Sequence, residues 1–295
     1  AESREVPKFD TQEEEKRYQN EYDRLKAVRT AMKGGQVNYS DYLRLDKVLS
    51  AQEPQSTAAG HPQHDEMMFI VVHQAYELWF KLILFELDAV LRIFSHDYVD
   101  ETLIGTACKH LQRVTEIQKI CNEQFNVMET MTPSGFVAFR DFINPASGFQ
   151  SAQFRLLENK LGLLSTRRYS YQTKAYYEFL EERDRPDVIK TESEPNLFNA
   201  IELWLERVPF LATQDWNFMT QLRDAVNRLY DADERAICEV FADQPEVKEE
   251  ECRKSDAQRR VALDALDEER YKELQAKGLK RLSFSASLGA LFIQC

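Results

Sequence analysis

Residues 64–94 read HDEMMFIVVHQAYELWFKLILFELDAVLRIF, and the fold class follows from how the polar residues are spread through this stretch. His73, Gln74, Glu77, Lys81, Asp88 and Arg92 fall within about 100° of arc when wound at 3.6 residues per turn. From Met67 onward every other residue is apolar except Glu86. The pattern predicts a helix from Asp65, its cap, to about Phe94, mostly buried and with one narrow polar seam. Glu86 lies outside the seam and needs a partner, because an unpaired buried carboxylate is costly.

On the C-terminal side, Asp100 starts a second long helix carrying Leu103, Ala107, Leu111, Val114, Ile117, Cys121, Phe125 and Met128 at steps of three or four. Thr132-Pro133 is a restart signal, Thr at N-cap and Pro at N1, for a short helix ending near Asn144-Pro145. Ser151–Leu164, Leu197–Val208, Asp215–Phe241 and Ser255–Leu282 are expected as helices. Residues 183–195 are expected as a polar connector with Pro195 at N1. Toward the N-terminus, Tyr39–Leu49 has helical spacing and Gln52–Gln63 reads as a loop. Thr11–Met32 is a charged helix candidate within a polar arm, residues 1–36, that ends in Lys33-Gly34-Gly35. The expected organisation is that arm followed by an all-α domain over residues 37–295. The run from Leu288 to Cys295 stops within apolar sequence and predicts a hydrophobic face awaiting a further element.

Composition agrees. Nine glycines and nine prolines in 295 residues are too few for a turn-built protein. A net charge of −12 argues against nucleic acid as a partner. The five cysteines form no C-x-x-C pair and are odd in number, which favours a reducing, cytoplasmic setting over disulfides. The apolar runs are interrupted before the roughly 18 residues a bilayer requires, so no membrane span is expected.

Two i, i+4 pairs could carry chemistry. Phe69 and His73 share a face of the long helix, and that imidazole is either a satisfied core group or a hydrogen-bonding group in a pocket. Phe136 and Arg140 repeat the arrangement on the Thr132-capped helix. Among Phe139, Phe142 and Ile143, the Arg140 guanidinium needs a carboxylate, either internal, with Glu86 a candidate, or from a ligand. His61 and His64 are spaced H-x-x-H without a matching ligand set, and no Glu-x-x-His, G-x-S-x-G or P-loop occurs. An enzyme with this sequence would draw its reactivity from a cofactor.

Four ordered blocks are more specific: residues 39–46 (YSDYLRLD), 64–88 (HDEMMFIVVHQAYELWFKLILFELD), 129–141 (ETMTPSGFVAFRD) and 145–154 (PASGFQSAQF). In order and spacing they resemble tryptophan 2,3-dioxygenase. The likeness continues more loosely through residues 156–163 (LLENKLGL) and 204–209 (WLERVP) to the final ALFI. The resemblance implies an all-α homotetramer that uses haem b and dioxygen to open the indole ring of L-tryptophan, giving N-formylkynurenine. It implies that His73 hydrogen-bonds the indole N–H, that the segment Phe69, Ile70, Val71, Val72 and His73 lies against the substrate, and that Arg140 binds its carboxylate beside Phe136. Tyr39, Tyr42 and Leu43 match pocket-lining positions that reach a neighbouring subunit's site, and Ser147 matches a serine at the haem edge. The family's Trp-Arg-x-x-His segment, which holds the proximal iron ligand, has no counterpart in this sequence, and none of the five histidines matches it. The expectation is therefore weak haem binding and impaired turnover for this polypeptide. Two other readings stay open: an inactive helical partner of full-length subunits, and a plain helical scaffold whose aromatic residues are only core.

Overall fold

The structure, a computed structural model, describes residues 16, 19–20, 22–24, 38–164, 167–168, 175–209 and 211–294. The predicted Thr11–Met32 helix lies largely outside them. The described residues are helical with no strand, only an isolated bridge between Ala212 and Asn217, so the all-α expectation holds. The chain divides into two compact units, residues 1–70 and 71–295.

In the first unit, the expected Tyr39–Leu49 helix is two short ones, Tyr39–Leu43 and Leu45–Val48. Asn38 caps the first through the Asp41 amide at 2.9 Å, and Arg44 breaks the run by adopting a left-handed φ of +50°. The stretch read as a loop contains a helical turn, Gln55–Ala58. Its cause is Glu66, a fully buried carboxylate that accepts from the amides of Gln55 (2.7 Å) and Ser56 (3.0 Å) and from the Ser56 hydroxyl. The same hydroxyl accepts from the Gln63 amide at 3.0 Å. Four donors thus meet two side chains, so the backbone of this segment is satisfied without a longer helix.

The second unit is organised around the remainder of the His64–Phe94 helix. Glu101–Glu123, capped by Asp100 as expected, packs against it through Ile83, Leu87, Val114, Ile117 and Cys121, and Leu157 of the Ala152–Leu161 helix joins the cluster. A second cluster joins Val90, Phe94, Val99, Ala107 and Ala200. Buried side chains fall on one side of the long helix, and Val71 (47% exposed), Leu78 (57%) and Phe85 (64%) form an apolar stripe open to solvent. The expectation of a mostly buried helix is corrected to that extent. By length and hydropathy this helix could also cross a membrane, contrary to the sequence reading. Its seam and its buried Glu86 are nevertheless bonded to neighbouring helices, as described below.

Pro133–Ile143 begins as predicted, with the Thr132 hydroxyl accepting from the Gly135 amide at 3.1 Å. Ala152–Leu161 ends three residues earlier than expected because Gly162 turns left-handed at φ +86°. A Cβ on Gly162 would meet Asn196 Oδ1 at 2.5 Å, so glycine is required there by space as well as by conformation. The connector at 183–195 holds a helix, Arg185–Thr191. Pro195 does not reach N1 of the next, since Asn196 caps Leu197–Glu206. The expected Ser255–Leu282 helix is instead Pro245–Asp264 and Glu268–Ala276, restarted by the Asp267 cap. Phe284–Gln294 lies on Leu197–Glu206, with the backbones so close that a Cβ on Gly289 would sit 2.0 Å from the Leu205 carbonyl oxygen, while Leu291 and Ile293 stay exposed.

Candidate functional site

Within the second unit, His73 is half-buried on the long helix, and its ring meets Tyr76 edge-on at 6.5 Å between centroids. Tyr76 donates to the Cys121 carbonyl at 2.8 Å and packs on Phe80 and Phe125. Burial, followed by the neighbouring Cys121, pushes the Tyr76 phenol above its ordinary value, so it remains a neutral donor at physiological pH. Gln124 donates to the Val72 carbonyl at 2.8 Å, which fastens the same turn of helix from the other side. Sequence reasoning passed over Tyr76 and Gln124. The i, i+3 spacing of His73 and Tyr76 was a visible signal for the first, whereas nothing local marks the second.

The five consecutive positions from Phe69 to His73 cannot all face one way, since successive residues on a helix turn by about 100°. Val72 is 6% exposed and belongs to the core, whereas Val71 is open to solvent. In the first unit Phe69 and Ile70 are half-buried, and Tyr39 (74% exposed), Tyr42 (77%) and Leu43 (39%) stand outward from their short helix.

Arg140 sits on the Pro133–Ile143 helix, whose position is fixed by Phe139, fully buried and edge-on to Phe136 at 5.5 Å. Its guanidinium donates to the Ala146 carbonyl at 3.0 Å, which restrains the side chain toward the loop that follows. The internal carboxylate the sequence offered is committed elsewhere. Glu86, 1% exposed, accepts from Arg113 at 2.6 Å and pairs with His110 Nδ1. Burial alone would raise the Glu86 carboxyl, but the hydrogen bonds from His110 and Arg113 and their charge outweigh it and hold the group below its ordinary value. Among the described residues no carboxylate forms an ion pair with Arg140.

Two residues of the polar seam, Glu77 and Asp88, are likewise bonded across helices. Gln153 donates to the carbonyl of Glu77 (2.9 Å) and to its carboxylate (2.8 Å), and Lys160 pairs with Asp88. These contacts bind the Ala152–Leu161 helix along the seam. Ser147 caps the Gly148–Gln150 3₁₀ turn, accepting from the Phe149 amide at 3.4 Å while its own amide donates to Gln150 at 3.0 Å. His61 and His64 gather no further ligands, and no group of three metal-binding side chains converges among the described residues.

Comparison with known proteins adds an independent line. Residues 22–295 match the family described as tryptophan 2,3-dioxygenase. A tryptophan 2,3-dioxygenase of Bdellovibrio bacteriovorus is 44% identical over 267 residues, covering 89% of this chain and 73% of the relative. One from Alteromonas mediterranea is 40% identical over 256 residues, 87% of this chain and 71% of the relative. The rat protein is 43% identical over 267 residues, which are 90% of this chain and 65% of its own length.

Proposed function

Since this chain belongs to the tryptophan 2,3-dioxygenase family, we propose that Arg140 and His73 grip L-tryptophan at its two ends while the enzyme oxidises the indole ring with dioxygen. The observation that carries the assignment is the unclaimed valence of Arg140. Glu86, the internal candidate the sequence offered, is taken by His110 and Arg113, which supports a carboxylate from outside the chain as the partner of the guanidinium fork. The bond to Ala146 holds the fork in orientation, which lowers the entropy lost when a carboxylate binds.

At the other end, His73 offers an imidazole nitrogen to the indole N–H. Tyr76, itself anchored to the Cys121 carbonyl, limits how far that ring can swing. Fixing both ends places the indole in one orientation, and orientation is what a protein contributes when a cofactor supplies the reactivity. A buried partner for the N–H also disfavours analogues that lack it. We assign haem b as the cofactor, which when bound supplies the oxygen chemistry. Ser147 is assigned to the edge of that site. The outward Tyr39, Tyr42 and Leu43 suit completion of a neighbouring subunit's pocket in a homotetramer, and the protein is assigned to the cytoplasm.

The test is tryptophan binding by titration calorimetry on the haem-loaded protein. Arg140→Ala should weaken L-tryptophan by about 2 kcal/mol or more, roughly thirtyfold, and leave tryptamine, which lacks the carboxylate, unchanged. Equal losses for both ligands would mean that Arg140 supports the fold and does not hold the substrate.

A further inference from the structure

The helices Phe218–Val240 and Pro245–Asp264 form an antiparallel hairpin with a regular cross-helix register. Near its open end Arg223 faces Asp267 at 3.7 Å and donates to the Leu266 carbonyl at 2.9 Å. Further along, Arg259 bonds Asp231 at 2.8 Å and Asn227 at 2.8 Å. Seven residues beyond Asp231 is Cys238, and seven residues before Arg259 is Cys252. Seven residues are about two turns, so each cysteine repeats the face of the residue that makes the Arg259 contact. The register therefore sets the two thiols opposite one another. Both are half-buried and free, and the charge of one thiol is felt by the other.

We propose that Cys238 and Cys252 are a site of reversible oxidation, closing to an intrachain disulfide when the protein meets a peroxide. A thiolate of the pair attacks one peroxide oxygen, the O–O bond breaks and hydroxide leaves, giving a sulfenic acid. The second thiol attacks that sulfur, forming the S–S bond and releasing the oxygen as water. The proton lost when the first thiol became a thiolate neutralises the hydroxide, and the second thiol's proton leaves with the sulfenic oxygen, so two thiols and one hydrogen peroxide yield one disulfide and two waters. A dithiol reductant reverses the step by exchange. Neither cysteine lies in the proposed tryptophan site, so the modification is independent of that assignment.

The surroundings set the rate. Burial, then Cys238 and Glu234 on the facing helix, push the Cys252 thiol upward, opposed by Lys248 on its own helix. The reactive thiolate is thus scarce at neutral pH, and oxidation quickens as pH rises. Exposed Cys108, on the Glu101–Glu123 helix, is the internal reference.

The experiment treats the reduced, full-length chain with hydrogen peroxide, blocks remaining thiols by alkylation, and maps peptides by mass spectrometry without reduction. The expected result is a Cys238–Cys252 linked peptide from monomeric chains, absent before treatment, dominant after it and removed by a dithiol. Cys238→Ser and Cys252→Ser should each abolish it with helicity by circular dichroism unchanged. Because the decisive reading is on the unaltered protein, a variant that misfolds does not rescue the idea. Peroxide treatment that leaves both cysteines alkylatable, or that links them only between chains, would overturn it.

Discussion

At the scale of single residues, the most consequential group is Glu86. It lies on the core side of the long helix with two partners, His110 and Arg113, the latter with a side chain 56% exposed. Removing the charge by Glu86→Gln keeps one acceptor oxygen but turns an amide NH2 toward either His110 or Arg113, and about 2 to 4 kcal/mol of stability should be lost, the lower part of that range reflecting the solvent around Arg113. The pH dependence follows from the downward displacement of the carboxyl. A group whose folded value lies below its unfolded one contributes its full stabilisation above the unfolded value and loses it as pH falls through the folded value. Denaturant unfolding of both proteins should show their gap widest at neutral pH and narrowing on acidification. A gap independent of pH would mean that the carboxylate's charge is not what the site uses. The residue also decided the fate of Arg140, which was ambiguous in sequence because its guanidinium could have paired with Glu86 or with a ligand's carboxylate.

At the scale of elements, helix starts were legible and helix lengths less so. Asp100 and Thr132 announced their helices because a capping side chain and the amide it satisfies lie within three residues of each other. The breaks at Arg44 and Gly162 and the split between Asp264 and Glu268 were harder. The left-handed Arg44 has no glycine to betray it, and Asp267 reads equally well as one more charged helical residue. The crossing of Leu197–Glu206 with Phe284–Gln294 was invisible, since it depends on tertiary approach at Gly289. Gly289→Ala should cost at least about 2 kcal/mol, because the atom in the way is backbone and cannot rotate aside. A thermal midpoint within a degree or so of the parent would show that the helices can slide apart freely. Of the site, the residue types and their i, i+4 pairing could be read directly. What could not be read was which neighbours had already been claimed, because those partners lie dozens of residues away.

At the scale of the whole molecule, the chain presents more apolar surface than a solitary helical protein needs. Val71, Leu78 and Phe85 recur every seven residues on one stripe of the longest helix, beside its polar seam. A heptad repeat of this kind is suited to a second helix, and contiguous exposed apolar surface marks association. Light scattering coupled to size exclusion should find a multimer, and Leu78→Glu with Phe85→Glu should reduce it to monomers of unchanged helicity. Multimers that persist in the double variant would place the contact elsewhere.

The Gln55–Ala58 turn has a consequence for motion. By composition its neighbourhood, with Pro54, Gly60 and Pro62, resembles a hinge. Glu66 makes it a latch: for the segment to swing out, a carboxylate without water would be abandoned together with the amides of Gln55 and Ser56. The stretch that looks most supple on paper is thereby among the least able to open by degrees, and it must release all at once or stay shut.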